Sequence, residues 1–232
     1  MTRTAVVAGV GPGLGASIAR RFADEGLSVG LFARSTGFTE SLAADLDETA
    51  GAGLAVPVDV ADPDDVARGF DAVREAFGSV DVLVCNASAA TWQGARSISP
   101  DEFDRAFAVG ARGGLLCVQA ALDDMDDGGT VVFTGATSAV RGREGAVGFS
   151  AAKFAVRGLA QSLARELGPE GIHVAHVVVD GQIRPPDAAA DESYLDPDAV
   201  AERYWHLVEQ DDVDTMDFEV HVTNGTQSIE FL

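Results

Sequence analysis

Residues 4–15, TAVVAGVGPGLG, decide the fold. The apolar run Ala5 to Ala8 meets Gly9, Gly11, Gly13 and Gly15, and Leu14, Ile18 and Phe22 then recur at helical spacing. The order is strand, sharp turn, helix. Amides at the start of such a helix have no carbonyl partner within it and sit at the positive end of its dipole, so the turn suits a pyrophosphate. A nucleotide is the first ligand to consider. The spacing is G-x-x-x-G-x-G, because Leu14 stands where the commoner G-x-G-x-x-G would need its last glycine.

Outward from this turn, strand and helix patterns alternate to the end of the chain. Ser28 to Ala33, Leu54 to Val58, Val80 to Cys85, Thr130 to Thr134, Ile172 to Val179 and Phe218 to Val222 read as further strands. A Gly-Ala-Gly turn at 51–53 precedes the third. Asp62 with Pro63 and Asp65, Ser99 with Pro100 and Glu102, and Asp196 with Pro197 are helix starts. Long helices are predicted over Phe103 to Leu122 and Ala146 to Leu167. Strands separated by helices of this length pair in parallel through right-handed crossovers. The expectation is an α/β fold, a single-domain doubly wound parallel sheet (Rossmann fold) of about seven strands over 1–232. Its ligand belongs at the carboxyl ends of the strands, with a substrate loop near 181–196 and a short tail at 224–232.

Composition narrows the function. The chain has 232 residues, 37 acidic against 16 basic, and a formal net charge of -21. Such a surface repels nucleic acid and anionic membranes. No apolar run reaches membrane-spanning length and no leader pattern precedes the first strand, so a cytoplasmic protein is expected. Lys153 is the only lysine, so all the other basic residues are arginine. An acidic, lysine-poor chain fits a salt-accumulating, halophilic source, where concentrated cations screen the self-repulsion. Cys85 and Cys117 read as buried thiols. His173 and His176, three apart in one strand, face opposite ways, and no metal site is expected.

About twenty residues beyond the glycines the chain carries Ala33 and Arg34 where an acidic residue would take a ribose diol. A guanidinium there suits a 2′-phosphate, which favours NADP(H) over NAD(H); a solvated surface charge is the other reading of Arg34.

The glycine spacing, Val58-Asp59-Val60, Asn86-Ala87-Ser88, Asp180-Gly181-Gln182-Ile183 and Phe149-Ser150-Ala151-Ala152-Lys153 together resemble the short-chain dehydrogenase/reductase family over nearly the whole chain. The resemblance implies cofactor contacts from Gly9, Gly11, Gly13, Leu14, Gly15, Arg34, Asp59, Val60, Asn86, Ala87, Lys153, Gly181 and Ile183. It implies hydride transfer to or from a small carbonyl or alcohol, and a homodimer or homotetramer built on the two long helices.

The chain departs from the family where the chemistry would be. The family's proton-transferring tyrosine is matched by Phe149, its relay asparagine by Gly110, and its substrate-binding serine by Ala136, with Thr137 or Ser138 as a hydroxyl one or two residues away. Asp180 replaces a proline. Lys153, Ser138 and the substituted Phe149 are the catalytic candidates. Three readings stay open: an oxidoreductase that draws its proton from water, Ser138 or Ser150, or reduces an activated C=C bond; a catalytically inactive NADP(H)-binding sensor or partner subunit; and an interaction subunit with an empty cleft. Trp92, Phe149 and Tyr194 suggest an apolar or aromatic substrate. Neither Tyr194 nor Tyr204 can be placed at the nicotinamide.

Overall fold

The structure, a computed structural model, describes residues 2–126, 128–210 and 215–225. Elements alternate from β1 (Thr4–Ala8), α1 (Leu14–Asp24), β2 (Ser28–Ala33), α2 (Gly37–Leu46), β3 (Ala52–Pro57), α3 (Pro63–Phe77) and β4 (Val82–Cys85) to α4 (Pro100–Phe107). They continue through α5 (Gly113–Leu122), β5 (Gly129–Thr134), α6 (Val147–Leu167), β6 (Ile172–Asp180), β7 (Gln182–Ile183), β8 (Tyr194–Leu195), α7 (Pro197–Val208) and β9 (Glu219–Thr223). Seven strands form one sheet in the order β3-β2-β1-β4-β5-β6-β9, every neighbour parallel. The order reverses between β1 and β4, and this is where a doubly wound sheet opens a crevice at its carboxyl edge.

Because the sheet is covered on both faces, its central strands are apolar throughout: β1 and β4 are buried at every position. Helices α1, α2 and α7 bury Ile18, Phe22, Leu42, Leu46 and Leu207 against one face. Helices α3, α5 and α6 bury Phe70, Val73, Val118, Val156 and Leu163 against the other. His173 and His176 do face opposite ways: His173 bonds the Leu207 carbonyl on the α7 side at 3.1 Å, while His176 meets Glu219 Oε2 at 3.0 Å. Both cysteines are buried, and burial pushes the Cys117 thiol up to about 12. Among the described residues no helix is long and apolar enough to cross a membrane.

Three local expectations need correction. The helix expected from Phe103 to Leu122 is interrupted by a π-helical turn, Ala108–Arg112. Gly110, Gly113 and Gly114 weaken helix propensity here. The wide turn brings the chain close to its neighbours: a Cβ on Gly113 would lie 2.9 Å from the Val60 carbonyl oxygen, and one on Gly114 would lie 3.0 Å from the Phe133 ring. These glycines therefore admit close packing within the chain. β3 begins at Ala52, inside the stretch expected to turn, since residues 52–57 pair in register with β2. The parallel pair β7 and β8 is additional; two residues per strand carry no periodic signal. The pair closes the base of the loop at 184–193, to which the Asn224 side chain is tied by donating to the Glu192 carbonyl, with a longer bond of 3.4 Å to the Tyr194 carbonyl in β8. The rest of the tail, 226–232, lies outside the described residues.

Helix starts follow their local chemistry. Asp62 accepts from the backbone N–H of Asp64 and Asp65, and Ser99 with Glu102 forms a reciprocal capping box at the head of α4. Ser99→Ala is expected to cost about 1 kcal/mol in denaturant unfolding, because the Glu102 amide then loses its partner. An unchanged midpoint would show that Pro100 and the acidic first turn suffice.

Candidate functional site

At the carboxyl edge of β1 the chain turns on Gly9, whose φ is +105°. A side chain there would be strained, and its Cβ would lie 2.5 Å from the Ala87 Cα. The turn is anchored from β2 and β4: the Gly9 and Val10 amides donate to the Phe32 carbonyl at 3.0 and 2.9 Å, and Asn86 Nδ2 donates to the Gly9 carbonyl at 2.7 Å. The Asn86 and Ala87 amides both donate to the Ala8 carbonyl at 2.8 and 2.7 Å. Gly13 heads α1 with no side-chain cap; its own amide and that of Ala16 donate to the Gly11 carbonyl at 2.8 and 3.2 Å, so Leu14 and Gly15 supply the first-turn amides that border the cleft.

This turn borders a cavity of about 700 Å³. Gly9, Gly11, Gly13, Leu14, Gly15, Arg34, Asp59, Val60, Asn86, Ala87 and Ile183 all line it. Ser138, Phe149, Lys153 and Gly181 stand outside its lining. The walls also contain Arg184, Pro185 and Pro186 of the loop expected near 181–196, and Arg105 and Val109, neither singled out from the sequence. Arg105 occupies the last turn of α4, a place that reads as ordinary dipole complementation, and its partner is far away in sequence.

At one end of the cavity Arg34 and Ser35 leave β2 opposite Asp59, which follows β3. The Asp59 carboxylate accepts from the Ala61 amide at 3.0 Å and from Arg105 Nη2 at 2.9 and 3.2 Å. Partial burial pushes its pKa up, but the Ala61 amide and the Arg105 guanidinium outweigh that, with Arg34 adding to them, so the carboxyl sits below its ordinary value.

Outside that lining Lys153, one turn along α6 from Phe149, is buried, and Nζ donates to the Thr134 carbonyl at the tip of β5 at 2.7 Å. Burial pulls its pKa down to about 8. Its ammonium lies 5.7 Å from the Phe149 ring centroid, and that ring meets Trp92 at 5.3 Å. Arg143 covers Trp92 at 4.8 Å, while its amide donates to Ser150 Oγ at 3.1 Å. Ser138 is buried in a single 3₁₀ turn, and Thr137 Oγ1 donates to Asp180 at 2.6 Å. Thr137 is thus committed to Asp180. Tyr204 is in the core, outside the cavity lining, its hydroxyl 2.9 Å from Thr134 Oγ1, and burial drives its pKa well above the ordinary phenol value despite that bond. Tyr194 lies in β8, outside the cavity walls.

A doubly wound parallel sheet with a glycine turn at its switch point defines a dinucleotide-binding class of α/β protein. Comparison with known proteins makes this specific: the family model for short chain dehydrogenases matches residues 3–188, and the chain belongs to that family. It is 30% identical over 184 residues to versicolorin reductase of Emericella nidulans, covering 78% of this chain and 69% of that protein. It is 33% identical over 183 residues to a cyclic-di-GMP-binding biofilm dispersal mediator protein of Escherichia coli, covering 78% and 73%. Among solved structures, an alcohol dehydrogenase of the archaeon Thermococcus sibiricus, complexed with 5-hydroxy-NADP, matches with a TM-score of 0.91 and 26% identity over 100% of both chains.

Proposed function

We propose that the chain is an NADP(H)-dependent oxidoreductase acting on a small carbonyl, alcohol or activated C=C substrate, with Phe149 standing where the family has its tyrosine. The observation that carries this reading is Lys153. An ammonium held in the interior with one carbonyl acceptor costs stability. A compact donor at that point suits a ribose diol.

The cleft fits the cofactor. A Cβ on Gly11 or Gly13 would meet nothing within 4 Å, so the turn leaves open space for phosphates, while Gly9 closes the floor. The α1 amides would hold the pyrophosphate, Arg34 the 2′-phosphate, and Asp59 and Val60 the adenine. Asn86, Ala87 and Lys153 would meet the ribose beside the nicotinamide, and Gly181 and Ile183 its carboxamide. The cofactor when bound supplies the hydride donor or acceptor. The 5-hydroxy-NADP complex of the Thermococcus sibiricus enzyme supports a nicotinamide cofactor in this fold.

Phe149 has no proton to give, so it excludes water and offers an apolar face to the substrate. The Lys153 amine, with a pKa of about 8, and the hydroxyls of Ser138 and Ser150 are the exchangeable groups of this region. With Trp92 beside it, Phe149 favours an apolar or aromatic substrate admitted through the loop near 181–196. We place a homodimer or homotetramer contact on α6, where Phe154 is 45% exposed and Gly158 faces open space.

The second reading, a catalytically inactive NADP(H)-binding sensor or partner subunit, is favoured by Phe149, Gly110 and Ala136 together. The similarity to the cyclic-di-GMP-binding protein of Escherichia coli also supports a binding role on this fold. Titration with NADPH and NADH in molar KCl, followed by nicotinamide fluorescence and a panel of ketones and enones, tests both. Preferential NADPH binding with turnover supports the enzyme; binding without turnover supports the sensor. Under the enzyme reading, Phe149→Tyr is expected to raise carbonyl reduction by about 100-fold or more, the gain from a positioned general acid. No gain would show that the inner site is not built for that chemistry.

A further inference from the structure

We propose that Arg105 determines coenzyme selectivity through Asp59: by neutralising that carboxylate at the adenosine end of the cleft, it leaves Arg34 free to hold a 2′-phosphate. This rests on the NADP(H) reading above and concerns a residue that the family motifs do not mark.

The geometry is specific. Arg105 Nη2 spans both oxygens of Asp59, at 2.9 and 3.2 Å, and both side chains are about a third exposed into the cavity that Arg34 also lines. Among the described residues Arg34 makes no ion pair of its own, although its charge acts on Asp59. The surrounding charges are otherwise committed. Asp65 accepts the Asp59 amide at 3.1 Å and pairs with Arg68, and Arg112 donates to the Ala61 carbonyl at 2.6 Å.

Consider the adenosine end with and without Arg105. Without it, Asp59 is a free carboxylate beside the place where a phosphate dianion must sit, and it competes with the phosphate for Arg34. With it, Asp59 and Arg105 cancel, and Arg34 supplies the net positive charge in a chain of formal charge -21. Asp59 still keeps a lone pair for the adenine amine. NADH has no 2′-phosphate and does not sense whether Asp59 is compensated. Arg105 is therefore a positioning residue that acts on one coenzyme and not the other.

The test uses the full chain and measures dissociation constants for NADPH and NADH by nicotinamide fluorescence, at the lowest salt in which the protein is folded. Arg105→Gln is expected to weaken NADPH by about tenfold and NADH by less than about threefold. In an Asp59→Asn background the same change should leave NADPH binding nearly unaltered, because the charge to be compensated is gone. Arg105→Lys keeps the charge, so it should keep the NADPH preference, and it provides the test if Arg105→Gln does not fold. Equal weakening of both coenzymes would make Arg105 a mere prop of the cleft and overturn the proposal, as would unchanged NADPH affinity. If the unsubstituted protein binds neither coenzyme, the NADP(H) reading fails with it; binding of both with no selectivity change defeats only the role of Arg105.

Discussion

Transfer from molar KCl to dilute buffer is expected to lower the melting temperature by about 10 °C or more, roughly 3–5 kcal/mol for a chain of this length. The charge imbalance drives this. Acidic residues exceed basic ones by 37 to 16. Several arginines are spent on particular partners: Arg74 on Asp124 at 2.9 Å, Arg157 on Glu219 at 2.7 Å and Arg105 on Asp59. Many carboxylates among the described residues consequently face solvent with like charges as neighbours, as at Asp62 and Asp64 at the head of α3. The Debye length falls from about 10 Å at 0.1 M salt to about 3 Å at 1 M, so molar salt reduces the repulsion between neighbouring side chains as well as distant ones. Melting followed by circular dichroism over a KCl series at fixed pH measures the effect. Equal melting temperatures at 0.1 and 2 M would mean that the acidic surface is not a salt adaptation. A rise with potassium sulfate but not with KCl would assign it to exclusion of the salt from apolar surface instead of to screening.

Much of this fold is legible because its signals are local. The glycine turn, the Asp62 and Ser99 caps and the apolar strands each depend on residues a few positions apart. Alternation of long elements then leaves parallel pairing as the economical topology. The site is less evenly legible. The glycines, Arg34, Asp59 and Asn86 share one cavity wall because they sit at the carboxyl ends of adjacent parallel strands, which the topology alone requires. Arg105 is invisible in the sequence because it is 46 residues from Asp59, and nothing in α4 distinguishes it from a surface charge. Thr137 reads as an available hydroxyl until the fold brings Asp180, 43 residues on, to accept from it. The π-helical turn is hidden for a related reason. Gly110, Gly113 and Gly114 announce a weak helix, but only the approach to Val60 and Phe133 shows why the chain widens there.

Lys153→Met is expected to make the cofactor-free protein more stable at pH 7 by roughly 2 kcal/mol, and to remove most of the stabilisation that NADPH confers. The lysine pKa falls from 10.5 to about 8 on folding, and burial is the cause. A folded pKa below the unfolded one means that the native state binds fewer protons between those values. Stability therefore rises with pH from about 8 to 10.5, and below about 8 the ammonium costs the fold its full penalty, on the order of 3 kcal/mol. Methionine fills similar space without the charge, at the expense of the bond to the Thr134 carbonyl, about 1 kcal/mol. Denaturant midpoints of both proteins at pH 7 and near pH 10 give the check: the advantage of the variant should shrink as the native lysine is relieved of its proton. A variant less stable than the parent at pH 7, or a difference indifferent to pH, would show that the lysine is there to hold the fold. The expected pattern, a more stable protein that no longer gains from NADPH, is the signature of a charge kept in the interior for a ligand, and Lys153→Arg sharpens it. The guanidinium is bulkier and stays protonated throughout this range, so that variant should be destabilised at both pH values and still lose the cofactor.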